Sequence, residues 1–324
     1  MSDIKKYDSE FLMKALRDMV LIRRFEEKTA QMYGLRKIGG FLHLYNGQEA
    51  VAVGAVAAID LKTDYILTSY RDHGHALAVG MSPGSIMAEM FGKITGCARG
   101  KGGSMHMFDV ERHFLGGNGI VGAQIPMATG VAFKQAYLKD GGVTLCFFGD
   151  GAIHQGAFHE SLNLAKIWKL PAVYIVENNQ FGMGTAVNRV SGIEDFHVKA
   201  EGYGLQGKII NGMDFLDVYE GLREVAQDAR QNGNAWVIDL KTYRYKGHSA
   251  SDPAKYRTKD ELESYKQQDP IVQLKSRMID AGVLSEEQYR KLDDEVKEEV
   301  QAAVDFAEKS EEPALHTMYE DILA

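Results

Sequence analysis

Apolar residues at Leu12, Leu16, Met19, Val20 and Phe25 recur at helical spacing and predict a helix over Ser9 to Tyr33. A second helix is predicted from Gln48 to Ile59, just after Asn46. Further on the pattern changes. Val143 to Phe148 is a short, wholly apolar run ending in Gly149-Asp150-Gly151, Ala157 to Trp168 returns to helical spacing, and Ala172 to Val176 is a second apolar run. That is a strand, a helix and a strand. Continuous apolar strands bridged by a helix imply an α/β fold, with a central, mostly parallel sheet covered by helices on both faces. Ligands of such sheets bind beyond the carboxyl ends of the strands. Another strand, Ala235 to Leu240, leads into Arg244 to Tyr256, a polar, glycine-containing stretch with the composition of a loop that orders over a ligand. Beyond it Ser285 and Gln288 form a capping box, and Leu292, Val296, Val300 and Val304 line one helical face. The organisation expected is an N-terminal helical extension over 1–40, a central domain over 41–260 and a C-terminal helical extension over 261–324 packed on that domain.

The 324 residues hold 37 Lys plus Arg against 45 Asp plus Glu, a net charge of −8 that argues against a nucleic-acid partner. The longest apolar stretch, about ten residues from Ala50 to Ile59, falls short of the roughly 20 that a membrane-spanning helix needs, so no membrane association is expected. Met1 to Glu10 lacks the features of a signal or transit peptide, and two cysteines, Cys97 and Cys146, fit a reducing cytoplasm. Glycine changes the picture most, because 14 of the 34 fall between Gly96 and Gly156. Glycines let main-chain N–H groups approach a phosphate closely, so this stretch is expected to meet a ligand.

Asp150 directly follows one buried strand and Asn179 the next, so the parallel unit delivers two hard oxygens to one edge of the sheet. Magnesium accepts such ligands and leaves positions for phosphate oxygens. Gly151 and Ala152 lie at the predicted entrance to the helix, where unpaired N–H groups favour an anion. Arg71, His73, Arg244 and His248 are candidates to neutralise it. Two features are decoys. Gly117 to Gly122 fits G-x-G-x-x-G, but Asp109 to Phe114 before it is charged and not an apolar strand, which removes the dinucleotide reading. Glu49, in Asn46-Gly47-Gln48-Glu49, reads as the capped start of a helix and is structural.

Gly149-Asp150-Gly151, 26 residues and then Asn178-Asn179 is similar to the thiamine diphosphate signature of a whole enzyme superfamily. From Met19 to about Asp260 the chain resembles the α subunits of thiamine-dependent pyruvate dehydrogenase components, in the thiamine diphosphate-dependent 2-oxo acid dehydrogenase family. The strings that carry this are Gly40 to Tyr45, Ser69 to Gly74, Gly100 to His106, Gly116 to Pro126, Asp150 to Gly156 and Arg244 to Pro253. The resemblance implies the thiamine diphosphate-binding fold, with thiamine diphosphate and Mg2+ as cofactors. It assigns the ion to Asp150, the Asn179 side chain and the Phe181 main-chain carbonyl. Tyr70, Arg71, Gly151, Ala152, Arg244 and His248 would hold the diphosphate, and Gly119 and Val121 the aminopyrimidine through main-chain atoms. His43 and His248 would face the reacting centre.

The same resemblance implies that the glutamate activating the cofactor comes from another polypeptide. The chain is then half of a site, pairing with a β subunit, most simply as an α2β2 tetramer. It would act on a 2-oxo acid and pass the acyl group to a lipoyl-bearing dihydrolipoamide acetyltransferase. Acetoin and branched-chain 2-oxo acid dehydrogenase α subunits share the cofactor signature; Tyr70 before Arg71 tilts the choice to pyruvate. A non-catalytic scaffold of the same fold has no need of Asp150 and Asn179 together. Mitochondrial relatives are silenced by phosphorylation at the Ser249 position. Here Ala254-Lys255 replaces their longer segment with a second serine, which suggests a bacterial, cytoplasmic protein and makes Ser249 a modification candidate only.

Overall fold

The computed structural model describes residues 4–322. The first helix, α1, spans Ser9–Gly34; Asp8 accepts the Glu10 N–H at its start, and the apolar positions named above are all buried. Then follow α2 (Glu49–Ala57), strand β1 (Tyr65–Leu67), α3 (His73–Ala78), α4 (Pro83–Met90) and α5 (Gln124–Leu138). Strand β2 (Thr144–Gly149), helix α6 (Gly156–Trp168) and β3 (Ala172–Asn178) form the expected parallel unit. The short hairpin β4 (Phe181–Gly182) and β5 (Thr185–Ala186) precedes α7 (Val187–Val190), β6 (Gln206–Asn211), α8 (Phe215–Asn232) and β7 (Trp236–Lys241). Three helices close the chain: α9 (Lys259–Lys266), α10 (Pro270–Asp280) and α11 (Glu286–Lys309), the last started by the Ser285–Gln288 capping box.

Five strands form one wholly parallel sheet in the order β1-β2-β3-β7-β6. Alternate strand residues feed two cores, as a sheet covered on both faces requires. Leu145, Phe147, Val173, Ile175, Ile238 and Leu240 pack with α1, α2, α8 and α11, whereas Cys146, Phe148, Tyr174, Val176 and Val237 pack with α5 and α6. The register matters for function. Gly149 pairs with Glu177, and Asn178 with Lys241, so β2, β3 and β7 end together and release Asp150, Asn179 and Arg244 at one edge. No helix among the described residues is long and apolar enough to cross a membrane.

Candidate active site

At that carboxyl edge lies a cavity of about 450 Å3. Of the residues expected at a cofactor, Tyr70, Arg71, Val121, Asp150, Gly151, Ala152, Asn179, Phe181, Arg244 and His248 line it. Asn179 is oriented by its own amide: Nδ2 donates to Gln48 Oε1 at 3.0 Å, which turns Oδ1 the other way. A single guanidinium nitrogen, Arg244 Nη1, donates to that Oδ1 at 3.3 Å and to the Phe181 carbonyl at 3.2 Å. The two oxygens therefore face one point, and a cationic group already sits there. Asp150 stands beside them, since a Cβ on Gly182 would lie 3.9 Å from its Oδ2. Burial pushes the Asp150 carboxyl up to about 6, against the pull of Arg244 and Arg71, and no salt bridge offsets it. Among the described residues no three His, Cys, Asp or Glu side chains gather as a metal-ligand group. What gathers is a carboxylate, an amide oxygen and a main-chain carbonyl: hard oxygens around a stand-in cation, a set that fits magnesium.

Arg71 and Arg244 are both buried, and among the described residues both hydrogen-bond to neutral groups alone. Arg71 donates to Leu44 O at 2.7 Å and His248 O at 2.8 Å; Arg244 adds Met183 O at 3.1 Å and the Tyr256 hydroxyl at 2.9 Å. Burial and the neighbouring Arg244 charge bring Arg71 down to about 10. Two buried guanidiniums without a carboxylate partner leave positive charge to be balanced, and a polyanion does this. Gly151 and Ala152 approach the cavity from a single 3-10 turn, Ala152–His154, and not from the start of α6, which begins at Gly156. Their contribution is local N–H groups and little macrodipole.

His43 lies just behind this lining. Its ring is 4.4 Å from the Tyr70 ring and 5.2 Å from that of His248. Burial and then the Arg71 charge lower His43 to about 2 and His248 to about 4, so both imidazoles are neutral near pH 7. Buried His43 Nδ1 has no hydrogen-bond partner. The loop after β7 reaches the lining through Arg244 and His248 and is tied to itself by Asp252, whose Oδ2 accepts from His248 N at 2.6 Å and from the Tyr256 hydroxyl at 2.8 Å.

Three expectations change. His73 does not face the cavity; it is wholly buried against Glu26. Gly119 lies outside the lining, its N–H turned to His106 Nε2 at 3.3 Å. The glycines from Gly96 to Gly103 wrap the protein's own anion, because the buried Glu89 carboxylate accepts the N–H groups of Ala98, Gly100, Gly102 and Gly103 at 2.7–3.0 Å. Glu49 lies outside the lining at the first residue of α2, whose N-cap, Gln48, makes no side-chain capping bond; its carboxylate is ion-paired with Arg23 at 2.5 Å and accepts the Gly47 N–H. Glu177 and Gln124 were not foreseen at the cavity. Burial lifts Glu177 to about 7 although the Tyr45 hydroxyl donates to it, and Gln124 Oε1 is buried without a partner.

Comparison with known proteins adds an independent line. The chain is 47% identical over 313 residues to the "Pyruvate dehydrogenase E1 component subunit alpha" of Rickettsia bellii (strain RML369-C), covering 97% of this chain and 96% of that one. The protein of the same name from Rhizobium meliloti (strain 1021) is 48% identical over 321 residues, 99% of this chain and 92% of its own. That of Porphyra purpurea is 45% identical over 309 residues, covering 93% and 90%. The sequence profile described as "Dehydrogenase E1 component" matches residues 17–316, and with it the chain belongs to the dehydrogenase E1 component family.

Proposed function

We propose that the chain is the α subunit of a heteromeric thiamine diphosphate-dependent pyruvate dehydrogenase that decarboxylates pyruvate and reductively acetylates a lipoyl domain. The observation that carries this reading is the pairing, in one cavity, of two buried guanidiniums with a buried carboxylate, none of which makes a salt bridge among the described residues. An Mg2+–diphosphate pair satisfies both halves. Asp150, Asn179 Oδ1 and Phe181 O would hold the ion. Arg71 and Arg244, with Tyr70, the Gly151 and Ala152 N–H groups and His248, would hold the phosphates. When bound, thiamine diphosphate supplies the electron sink for decarboxylation of a 2-oxo acid. The chain's own part is to anchor the cofactor's charged end, to exclude water with the loop carrying His248, and to present two neutral imidazoles, His43 and His248, as proton acceptors or hydrogen-bond partners at the reacting end.

The same reading places a β subunit across the mouth of the cavity. The rim beside Val121 continues along α5 as an exposed face with Met127, Phe133, Tyr137 and Leu138, the kind of surface a partner buries. An α2β2 assembly and acyl transfer to a lipoyl-bearing acetyltransferase follow from the same reading. Coexpression with a β subunit encoded by the adjoining reading frame, assayed with pyruvate, 2-oxoisovalerate and acetoin and an artificial electron acceptor, is expected to give thiamine-dependent turnover fastest with pyruvate. The Asp150→Ala complex is expected to lose magnesium-dependent thiamine diphosphate binding in calorimetry. Full turnover of this chain without a partner, or undiminished cofactor affinity in that variant, contradicts the proposal.

A further inference from the structure

The segment Leu42 to Asn46, which carries His43, pairs with no strand, yet its main-chain groups are tied on alternating sides. The carbonyls face the loop and Arg71: Leu42 O accepts from Ala250 N at 2.8 Å, Leu44 O from Arg71 Nη1 at 2.7 Å and Asn46 O from Tyr245 N at 3.0 Å. The N–H groups face inward: His43 N donates to Ser104 Oγ at 3.4 Å and Tyr45 N to Glu26 Oε1 at 2.8 Å. These two acceptors are the ends of one buried chain, because His73 bridges them. Its Nδ1 lies 3.0 and 3.1 Å from the two Glu26 oxygens, and its Nε2 lies 2.9 Å from Ser104 Oγ and 3.1 Å from Ser104 O. Gly74, next to His73, lets α3 press on this segment: a Cβ there would fall 2.3 Å from the Tyr45 ring.

Carboxylate, imidazole and serine in this order have the layout of a hydrolytic triad, but the proton positions exclude that role. A general base needs a lone pair on the nitrogen facing the hydroxyl. Here the Ser104 carbonyl also lies against Nε2, so a lone pair on that nitrogen would face another lone pair, whereas a proton there serves both oxygens. Nδ1 must carry a proton as well to reach the Glu26 carboxylate. His73 is therefore an imidazolium. Burial alone would lower its pKa, but the adjoining Glu26 charge raises it above the ordinary value. Ser104 Oγ accepts from His73 and from His43 N and is not activated for attack. A fully bonded buried ion pair fixes one conformation more than it adds stability.

We propose that Glu26, His73 and Ser104 are positioning residues for the reaction, a rigid template that holds the main chain of His43 so that its ring faces His248. The inference rests on the reading of His43 as a group at the reacting end. Its test uses the complex with the β subunit carrying Ser104→Ala, His43→Ala or both, together with crystal structures of the unsubstituted and Ser104→Ala complexes. Ser104→Ala is expected to lower kcat with pyruvate about tenfold, as a displaced reacting group does, while thiamine diphosphate affinity stays within twofold. In the His43→Ala background it is expected to have no further effect, because a residue acting through His43 has nothing left to position. In the crystal the His43 ring is expected to leave its 5.2 Å contact with His248. An unchanged kcat, an equal loss in both backgrounds or an unmoved ring overturns the proposal. Should Ser104→Ala fail to fold, Glu26→Gln, whose one amide oxygen can still accept from Tyr45 N while the charge facing His73 is removed, is read the same way. Absence of thiamine-dependent turnover in the unsubstituted complex would instead remove the functional reading, and the displacement of the His43 ring would still decide the positioning claim.

Discussion

Replacing Asp150 by Asn separates the two roles of its charge. In the ion-free protein burial raises the Asp150 carboxyl from 3.8 to about 6. The folded state thus prefers this group protonated, and the stability it contributes is full below its unfolded value and is lost as pH rises through the folded one. At pH 7.5 the buried charge costs about 3 kcal/mol, and at pH 5, where the group takes up a proton on folding, that uptake costs about 1.5 kcal/mol. Asp150→Asn is close in shape and uncharged. It is expected to stabilise the cofactor-stripped complex by up to about 3 kcal/mol at pH 7.5, a rise of roughly 4 °C for a chain of this size, by about half that at pH 5, and not at all near pH 3. With Mg2+ and thiamine diphosphate the order reverses, because the unsubstituted protein gains the binding free energy and the variant does not. Scanning fluorimetry of both complexes across these pH values, with and without the ligands, reads both effects. A variant less stable than the parent when stripped, or one that the ligands stabilise equally, would refute the assignment of an unpaired buried carboxylate awaiting a cation.

Three further outcomes are expected. Arg71→Met removes two hydrogen bonds to carbonyls but also a buried charge without a counter-ion, so the melting temperature of the stripped complex should change little. Its thiamine diphosphate affinity in calorimetry should fall roughly 10- to 150-fold, the worth of a charge-assisted contact of about 1.5–3 kcal/mol; an unchanged affinity would take Arg71 out of the diphosphate site. Glu89→Gln leaves one of its two oxygens able to accept N–H groups and turns the other position into a donor facing donors, so it should lower stability by about 3 kcal/mol in thermal unfolding. Mg2+ and thiamine diphosphate should each bind weakly alone and at least 100-fold more tightly together: a cation there meets two guanidiniums, a diphosphate meets Asp150, and each unit pair at 4 Å is worth about 4 kcal/mol at an effective dielectric near 20.

The fold was legible where burial is one-sided and local. Helix α1, the β2–α6–β3 unit and the capping box at Ser285 are set by apolar runs and caps within a few residues, and they appear where the pattern places them, to within about two residues. Strand β6 was not legible. It is an edge strand whose sequence, Gln206 to Asn211, buries only Ile210, so the sheet's register and not its own pattern makes it extended. Strand β1 is three residues long and too short for any periodicity. Helix α8 did carry a signal: Asp214 caps it, and Phe215, Val218, Leu222, Val225 and Ala229 are buried along one face. A longer window over that segment would have found it.

For the site, the sequence supplied the groups that leave the strand ends and missed those that hold them in place. Asp150 and Asn179 follow buried strands whose register is fixed, so their convergence could be argued from a parallel βαβ unit alone. What orients Asn179 is Gln48, 131 residues away, and what fixes His43 is Glu26 acting through His73 and Ser104. Such contacts leave no periodic trace, because a buried polar group needs only a partner of the right kind somewhere in the chain. The glycine-rich stretch makes the same point from the other direction. Its composition signals main-chain N–H groups gathered on an anion, which is what the structure contains, but composition cannot say whose anion, and here Glu89 answers for Gly100 to Gly103 while the cavity meets the chain at Val121, Gly122 and Gln124 and again from Gly149 to Ala152. A buried glutamate within reach of a glycine run therefore competes with phosphate as its explanation, and the choice between them turns on whether an acidic residue lies on an element packed against the loop, as Glu89 does on α4.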